Sequence, residues 1–276
     1  MNLNFTKMHG LGNDFVVINA ITQNIEITSK LACMIADRRF GIGCDQILII
    51  QKSTHTDIDF SYRIFNADGG EVEQCGNGAR CFAHFVREEG LTNKREISVE
   101  TISGTITLYI EEDGEVRVNM GQANFDPASL PFSAPSMAPT YQLKFDDQNI
   151  TVGAVSMGNP HIVYKVDNIE HAPVAEWGPI LERHSSFPKR VNVGFMEILS
   201  RTQIRLRVYE RGAGETLACG TGACAAVAIG IFWGELDSRV DVLLPAGRLT
   251  IEWQKGEAPV WMTGPATTVF KGTIKI

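Results

Sequence analysis

The sequence predicts an α+β protein of two pseudo-symmetric halves from an internal duplication, each half a sheet wrapped around a central helix. Three observations carry that expectation. Cys75-Gly76-Asn77-Gly78-Ala79 returns as Cys219-Gly220-Thr221-Gly222-Ala223, at an offset of 144 residues. Arg63-Ile64-Phe65-Asn66 and Gly70-Glu71 return at the same offset as Arg207-Val208-Tyr209-Glu210 and Gly214-Glu215. The run after the second cysteine, Ala223 to Trp233, is apolar nearly all round and so calls for burial on every side. Many short strands with one dominant helix per half fit α+β rather than a doubly wound parallel sheet.

The repeat continues downstream. Ile97-Ser98-Val99 and Gly104-Thr105-Ile106-Thr107 match Val240-Asp241-Val242 and Gly247-Arg248-Leu249-Thr250, one residue out of step, and Gly12-Asn13-Asp14 has a looser echo in Gly158-Asn159-Pro160. The collinear order makes duplication the better explanation than chance. Residues 1–119 form the first half and 120–264 the second, joined by the proline-bearing stretch Phe125 to Pro139. Residues 265–276 are left over, and the alternation at Thr267-Thr268-Val269-Phe270 predicts a strand returning to the first half.

In chain order, Thr28 reads as the N-cap of a helix from Ser29 to Arg38, closed by Gly41. β-branched or alternating runs predict strands at 47–50, 60–65, 97–101, 105–110 and 116–120. A helix follows Cys75 from Asn77 to Glu89, with Phe82, Phe85 and Val86 on one side. In the second half, strands fit 152–156, 162–166, 203–209, 240–244 and 249–253, and helices fit 174–184 and 222–233.

At 276 residues each half is long enough to bury a core, and 44% hydrophobic with 21% charged residues is the balance of a soluble globular protein. The first residues show no charged start followed by an apolar core, so a cytoplasmic protein is expected, and the most apolar run is far too short to span a bilayer. Six cysteines in that compartment are read as reduced thiols, and their spacing fits no common zinc pattern. A net charge of −7 without a basic cluster argues against nucleic acid and anionic membranes. The expected partner is a small molecule.

The two cysteines define the chemistry. Each opens a glycine-rich turn into a helix, among unpaired backbone N–H groups at the positive end of the dipole. That setting is expected to lower a thiol pKa and favour the thiolate. Two such thiols facing one substrate suit inversion at a carbon stereocentre, one group taking a proton on one face while the other returns a proton on the opposite face. No phosphate loop, dinucleotide fingerprint or Schiff-base lysine motif is present, so no cofactor is expected. Helix N-termini at Gly76-Asn77-Gly78 and Gly220-Thr221-Gly222 suit a substrate carboxylate.

A wider set of motifs extends the pattern: Met8-His9-Gly10-Leu11-Gly12-Asn13-Asp14-Phe15, Phe65-Asn66-Ala67-Asp68-Gly69, Gln74-Cys75-Gly76-Asn77-Gly78-Ala79-Arg80-Cys81, Ser156-Met157-Gly158-Asn159-Pro160-His161, Tyr209-Glu210-Arg211-Gly212-Ala213-Gly214-Glu215-Thr216 and Ala218-Cys219-Gly220-Thr221-Gly222-Ala223. With these the chain resembles the diaminopimelate epimerases across essentially its whole length. The resemblance implies their fold, a homodimer, no cofactor, and interconversion of LL- and meso-diaminopimelate in lysine and peptidoglycan precursor synthesis. It implies Cys219 as the group that deprotonates the LL isomer and Cys75 as the group that returns a proton. Gly76, Asn77, Gly220 and Thr221 are implied to hold the reacting carboxylate. Asn13, Gln46, Asn66, Asn159, Asn192, Glu210 and Arg211 match the polar residues that grip the rest of the substrate, and His161 and Glu210 match positions that assist catalysis.

The residues themselves leave rivals open. A dithiol oxidoreductase cycling Cys75 and Cys219 through a disulfide needs neither the glycine turns nor the asparagines. A two-lobed amino-acid binding protein needs the amides and Arg211 but not two reactive thiols. A proline or hydroxyproline racemase shares the C-G-x-G-A core but has no use for so many polar groups. Cys33, Cys44, Cys81 and Cys224 read as small buried hydrophobes.

Overall fold

The structure is a computed structural model that describes residues 2–72 and 75–276. Gln74, quoted in one motif above, lies outside the described residues. The chain forms two compact units, Met1–Asn119 with Gly264–Ile276, and Met120–Thr263.

The first unit opens on a hairpin, β1 (Asn2–Gly10) and β2 (Asn13–Asn19), turned by Leu11 at φ 54° and Gly12 at φ 88°. Two successive positive φ angles give a turn whose twist matches the flanking strands. There follow α1 (Ser29–Ala36), β3 (Gln46–Gln51), β4 (Phe60–Asn66), β5 (Glu71–Val72) and α2 (Gly76–Glu88), then β6 (Glu96–Thr101), β7 (Gly104–Ile110) and β8 (Val116–Gln122). Thr28 caps α1 by accepting the Leu31 N–H at 3.3 Å. The helix stops short of Arg38 because the Asp37 carboxylate leaves it to accept the N–H groups of Arg39 and Phe40 at 2.7 and 2.8 Å.

The second unit runs β9 (Tyr141–Phe145), β10 (Gln148–Ser156), β11 (Pro160–Lys165), α3 (Val174–Glu182), β12 (Asn192–Ser200), β13 (Gln203–Glu210), β14 (Gly214–Thr216), α4 (Gly220–Phe232), β15 (Arg239–Leu244), β16 (Gly247–Glu252) and β17 (Pro259–Gly264). The stretch between Phe125 and Pro139 holds a single 3-10 turn at Pro127–Ser129. The last strand, β18 (Thr267–Lys275), pairs antiparallel with β1.

Pairing senses repeat. In the first unit the neighbours run β18, β1, β2, β3, β4, β6, β7, β8 as antiparallel, antiparallel, parallel, antiparallel, parallel, antiparallel, antiparallel. The series β9, β10, β11, β12, β13, β15, β16, β17 has the same senses in the same order. The chain's final strand thus occupies in the first unit the place that β9 occupies in the second. It is tied to α2 by Thr268 donating to Glu88 at 2.5 Å and by Lys271 paired with Glu89 at 2.5 Å.

Each unit has its central helix. α2 packs on β1, β2, β3, β7 and β18, and α4 on β10, β11, β12, β13, β15 and β16. Every residue of α4 from Gly222 to Ile231 is buried, as its unbroken apolar sequence requires. Burying a side chain such as Val227, Ile229 or Ile231 contributes about 1.5–3 kcal/mol. Gly153 on β10 permits the close approach: a Cβ there would lie 2.4 Å from Ile229 Cγ2. Both helices span thirteen residues and end at a glycine in the left-handed region, Gly90 at φ 67° and Gly234 at φ 77°.

Candidate active site

The local fold delivers each cysteine to the same place. In the first unit β4 and β5 form a short hairpin, locked by Arg63 forking onto Glu71 at 2.7 and 2.8 Å, and the chain then reaches α2 with Cys75 as its N-cap. In the second, β13 and β14 are locked by Arg207 on Glu215 at 2.7 and 3.0 Å, with Cys219 capping α4. Bidentate pairing fixes the planes of both side chains. The sulfur of Cys75 accepts the Gly78 N–H at 3.4 Å, and that of Cys219 accepts the Gly222 N–H at 3.4 Å. Space is tight at this third position: a Cβ on Gly222 would stand 3.0 Å from Val208 and 3.2 Å from the Cys219 sulfur, so a neighbour would have to shift.

Around Cys75, which is half-buried, the first unit supplies amides. The thiol donates to Asn13 Oδ1 at 3.7 Å, and Asn77 Nδ2 donates to the same oxygen at 3.1 Å. Asn13 lies at the start of β2 and Gln46 at the start of β3, where Gln46 pairs in register with Phe15. Gln46 Nε2 donates to Asn66 Oδ1 at 2.9 Å across β3 and β4. The side-chain oxygens Gln46 Oε1 and Asn77 Oδ1 are buried without a hydrogen-bond partner among the described residues.

Around Cys219, which is 4% exposed, the second unit supplies ionisable groups. The thiol donates to Glu210 Oε2 at 3.2 Å and lies 3.6 Å from Thr221 Oγ1. Thr216 Oγ1 donates to the other carboxylate oxygen of Glu210 at 2.5 Å. The expected lowering of the thiol pKa does not hold here. Burial pushes Cys219 well up and the Glu210 carboxylate adds to it, while the bonds from Thr221 and Gly222 only partly offset them. Desolvation of a fully buried anion outweighs one turn of helix N–H groups.

His161 is paired in register with Asn192 between β11 and β12, the counterpart of Phe15 and Gln46. Burial, with the Arg211 charge as a lesser cause, pushes its imidazole down to about 3, so it is neutral near pH 7. Its Nε2 lies 2.9 Å from Asn159 Oδ1, which only accepts, so Nε2 carries the hydrogen. Asn159 Nδ2 then donates to Thr221 Oγ1 at 3.4 Å. Asn192 donates to Pro160 O at 2.9 Å and accepts the Arg211 N–H at 2.9 Å, setting the start of the Arg211 loop. Gly212 N–H donates to buried Glu182 at 3.0 Å, and Arg211 Nη1 donates to Lys189 O at 3.3 Å.

The expected residues thus fall into two groups, Asn13, Gln46, Asn66, Cys75, Gly76 and Asn77 in the first unit, and Asn159, His161, Asn192, Glu210, Arg211, Cys219, Gly220 and Thr221 in the second. Sequence reasoning missed Thr216, Asp45 and Glu182: Thr216 holds the Glu210 carboxylate, Asp45 holds the Asn13 amide, and Glu182 holds the Gly212 N–H next to Arg211. Thr216 sits in the quoted Glu-Thr end of its motif; nothing local marks Asp45 or Glu182. Among the described residues no three His, Cys, Asp or Glu side chains gather as a metal-holding group.

Solved structures of other proteins share this architecture. A phenazine biosynthesis protein of the PhzF family from Bacillus anthracis superposes with a TM-score of 0.75 at 18% identity over the whole of both chains. A hydroxyproline epimerase from Agrobacterium vitis gives 0.69 at 15% identity over 99% of this chain and 92% of that one. At such identities the likeness is one of fold alone.

Sequence comparison is more specific. The diaminopimelate epimerase family matches residues 5–126 and 153–269. Diaminopimelate epimerases from Nitrosospira multiformis and Nitrosomonas europaea are 56% and 58% identical over 276 residues, covering all of this chain and 99% and 100% of theirs. The chain belongs to the diaminopimelate epimerase family, and so is an isomerase.

Proposed function

We propose that this protein interconverts LL- and meso-diaminopimelate by two-base proton transfer, with Cys219 as the base toward the LL isomer and Cys75 as the acid. The observation that carries the proposal is the thiol of Cys219 donating to Glu210 at 3.2 Å, against the Cys75 thiol donating to a neutral amide. Glu210 accepts the Cys219 proton, and the resulting buried thiolate is a strong base because burial disfavours its charge. That thiolate removes the substrate α-proton. Cys75 donates its own proton to the opposite face and is left as thiolate. Solvent exchange then returns a proton to Cys75 and takes one from Glu210, which balances the cycle.

Negative charge develops on the α-carboxylate. Backbone N–H groups of Gly76, Asn77, Gly220 and Thr221 lie in the first helical turns, outside the helices' own ladders, and suit that carboxylate. Losing one such donor typically costs about 3 kcal/mol. The partnerless oxygens of Gln46 and Asn77 suit an ammonium donor, while Asn66, Asn159, Asn192 and the Arg211 guanidinium suit the distal amino-acid centre. The reading includes no cofactor, a cytoplasmic setting, a homodimer, and a role in lysine and peptidoglycan precursor synthesis.

Comparing kcat/KM for LL-diaminopimelate and for lysine tests the substrate. Sites built on buried polar groups reject an analogue lacking a partner by roughly 10⁴. Comparable values for the two would end the substrate assignment.

A further inference from the structure

Asn13 is an amide whose two ends have different chemistry, and something must decide which end meets the Cys75 sulfur. Its Nδ2 donates to Asp45 Oδ2 at 3.0 Å, so its oxygen is the atom turned toward Cys75 and Asn77. Asp45 is itself held. Arg38 Nη2 pairs with its other oxygen at 2.8 Å, and the Asp14 backbone N–H donates to Oδ2 at 3.0 Å. Arg38 also forks onto Asp14 at 2.7 and 3.0 Å, and Lys7 pairs with Asp14 at 2.6 Å. Partial burial works to raise the Asp14 carboxyl, but the bonds from Arg38 and Lys7 win and keep it ionised.

We infer that Asp45, braced by Arg38, is a positioning residue that fixes the Asn13 amide with its oxygen toward Cys75 and thereby favours the protonated thiol there. A carboxylate accepts only, so it holds the NH2 end of Asn13 and excludes the flipped amide. An acceptor beside a thiol is bonded by the neutral S–H and repels the thiolate. Cys75 is thus kept in the acid form that the forward reaction requires. This rests on the reading of Cys75 as the returning acid.

Among the described residues, Tyr62 and Cys81 are titratable groups that face Cys75, and burial keeps both neutral near pH 7. Tyr62 from β4 is pushed up by burial, with Cys75 a lesser cause, and Cys81 on α2 is pushed up to about 12 by burial.

The test uses the ligand-free protein and reads alkylation of Cys75 by iodoacetamide, resolved by mass spectrometry, as a function of pH. In Asp45→Asn the carboxamide permits the Asn13 amide to turn its NH2 toward the sulfur. The midpoint of Cys75 alkylation is then expected about one pH unit lower, with kcat toward LL-diaminopimelate down by about tenfold and KM little changed. Arg38→Gln leaves the carboxylate in place but unbraced and is expected to shift the midpoint the same way by less; it also serves if Asp45→Asn does not fold. An unchanged midpoint in a folded variant overturns the inference, even if kcat falls, since a merely structural role lowers turnover without moving that midpoint. Separately, full activity in Cys75→Ala would end the two-thiol reading while leaving the alkylation result to stand on its own.

Discussion

Cys75 and Cys219 cap helices of equal length and accept equivalent glycine N–H groups at the same 3.4 Å, yet their surroundings differ in kind. Where the first unit places Phe15 and Asn66, the second places His161 and Glu210 at the matching strand positions. The backbone scaffold is repeated, while the proton inventory is not. A thiol beside a carboxylate and a thiol beside an amide oxygen are unequal partners. Inversion needs that inequality, since one face must begin as base and the other as acid. The hydrogen bonds end on different groups: at Cys219 the thiol donates to the Glu210 carboxylate, with Thr221, which accepts from Asn159, beside the sulfur, whereas at Cys75 the thiol donates to the neutral Asn13 amide.

The largest expected effect comes from removing either thiol. Cys75→Ala and Cys219→Ala should each abolish epimerisation with the fold intact by circular dichroism, while Cys81→Ala and Cys224→Ala stay active; turnover in either of the first two breaks the two-face account. Glu210→Gln comes next. It removes the acceptor of the Cys219 proton, and kcat should fall by roughly 10²–10⁴, the usual worth of a general base. Equal activity would show that the two cysteine sites are equivalent after all.

His161 separates a positioning role from an acid–base role. Because its imidazole is pushed down to about 3 from 6.5, the folded protein binds fewer protons than the unfolded chain between those values. Stability from this group is therefore full above pH 6.5 and is lost progressively as pH falls toward 3. At pH 4.5 the wild type should have lost on the order of 2 kcal/mol that His161→Gln does not lose, read as a steeper acid-side drop in Tm for the wild type. Its kcat pH profile should keep the same acid limb in both proteins. The smallest effect is expected from Arg63→Met, which opens a half-exposed ion pair and should cost about 1 kcal/mol or less in urea unfolding.

Much of this was written in the sequence where physics is local. Period-two runs such as Ile97–Thr101 and the apolar helix after Cys219 appear close to their expected bounds because burial pattern and element type coincide there. The hairpin of β1 and β2 was not legible: its turn uses Leu11 at φ 54°, a conformation leucine rarely adopts, and β1 mixes Thr6 and Gly10 with Leu3 and Met8 among its buried residues. β12 escaped because its first five residues are buried on both faces, which removes the alternation. In the site, the repeated cysteines and their glycines were plain. The Glu210 contact with Cys219 was not, because adjacent Glu-Arg reads as an ion pair, and the rise in the Cys219 pKa follows from depth of burial, which only packing sets.

The central claim is that two thiols act on opposite faces and that the acid differs from the base. It is tested most directly by converting LL-diaminopimelate in deuterated water and reading isotope at the α-carbon early in the reaction, in product and in unconverted substrate. The account predicts deuterium in the meso product, delivered by solvent-exchanged Cys75, while recovered LL substrate still carries its original hydrogen. Product retaining the substrate's own hydrogen would mean that one group both removes and returns the proton, and would contradict it.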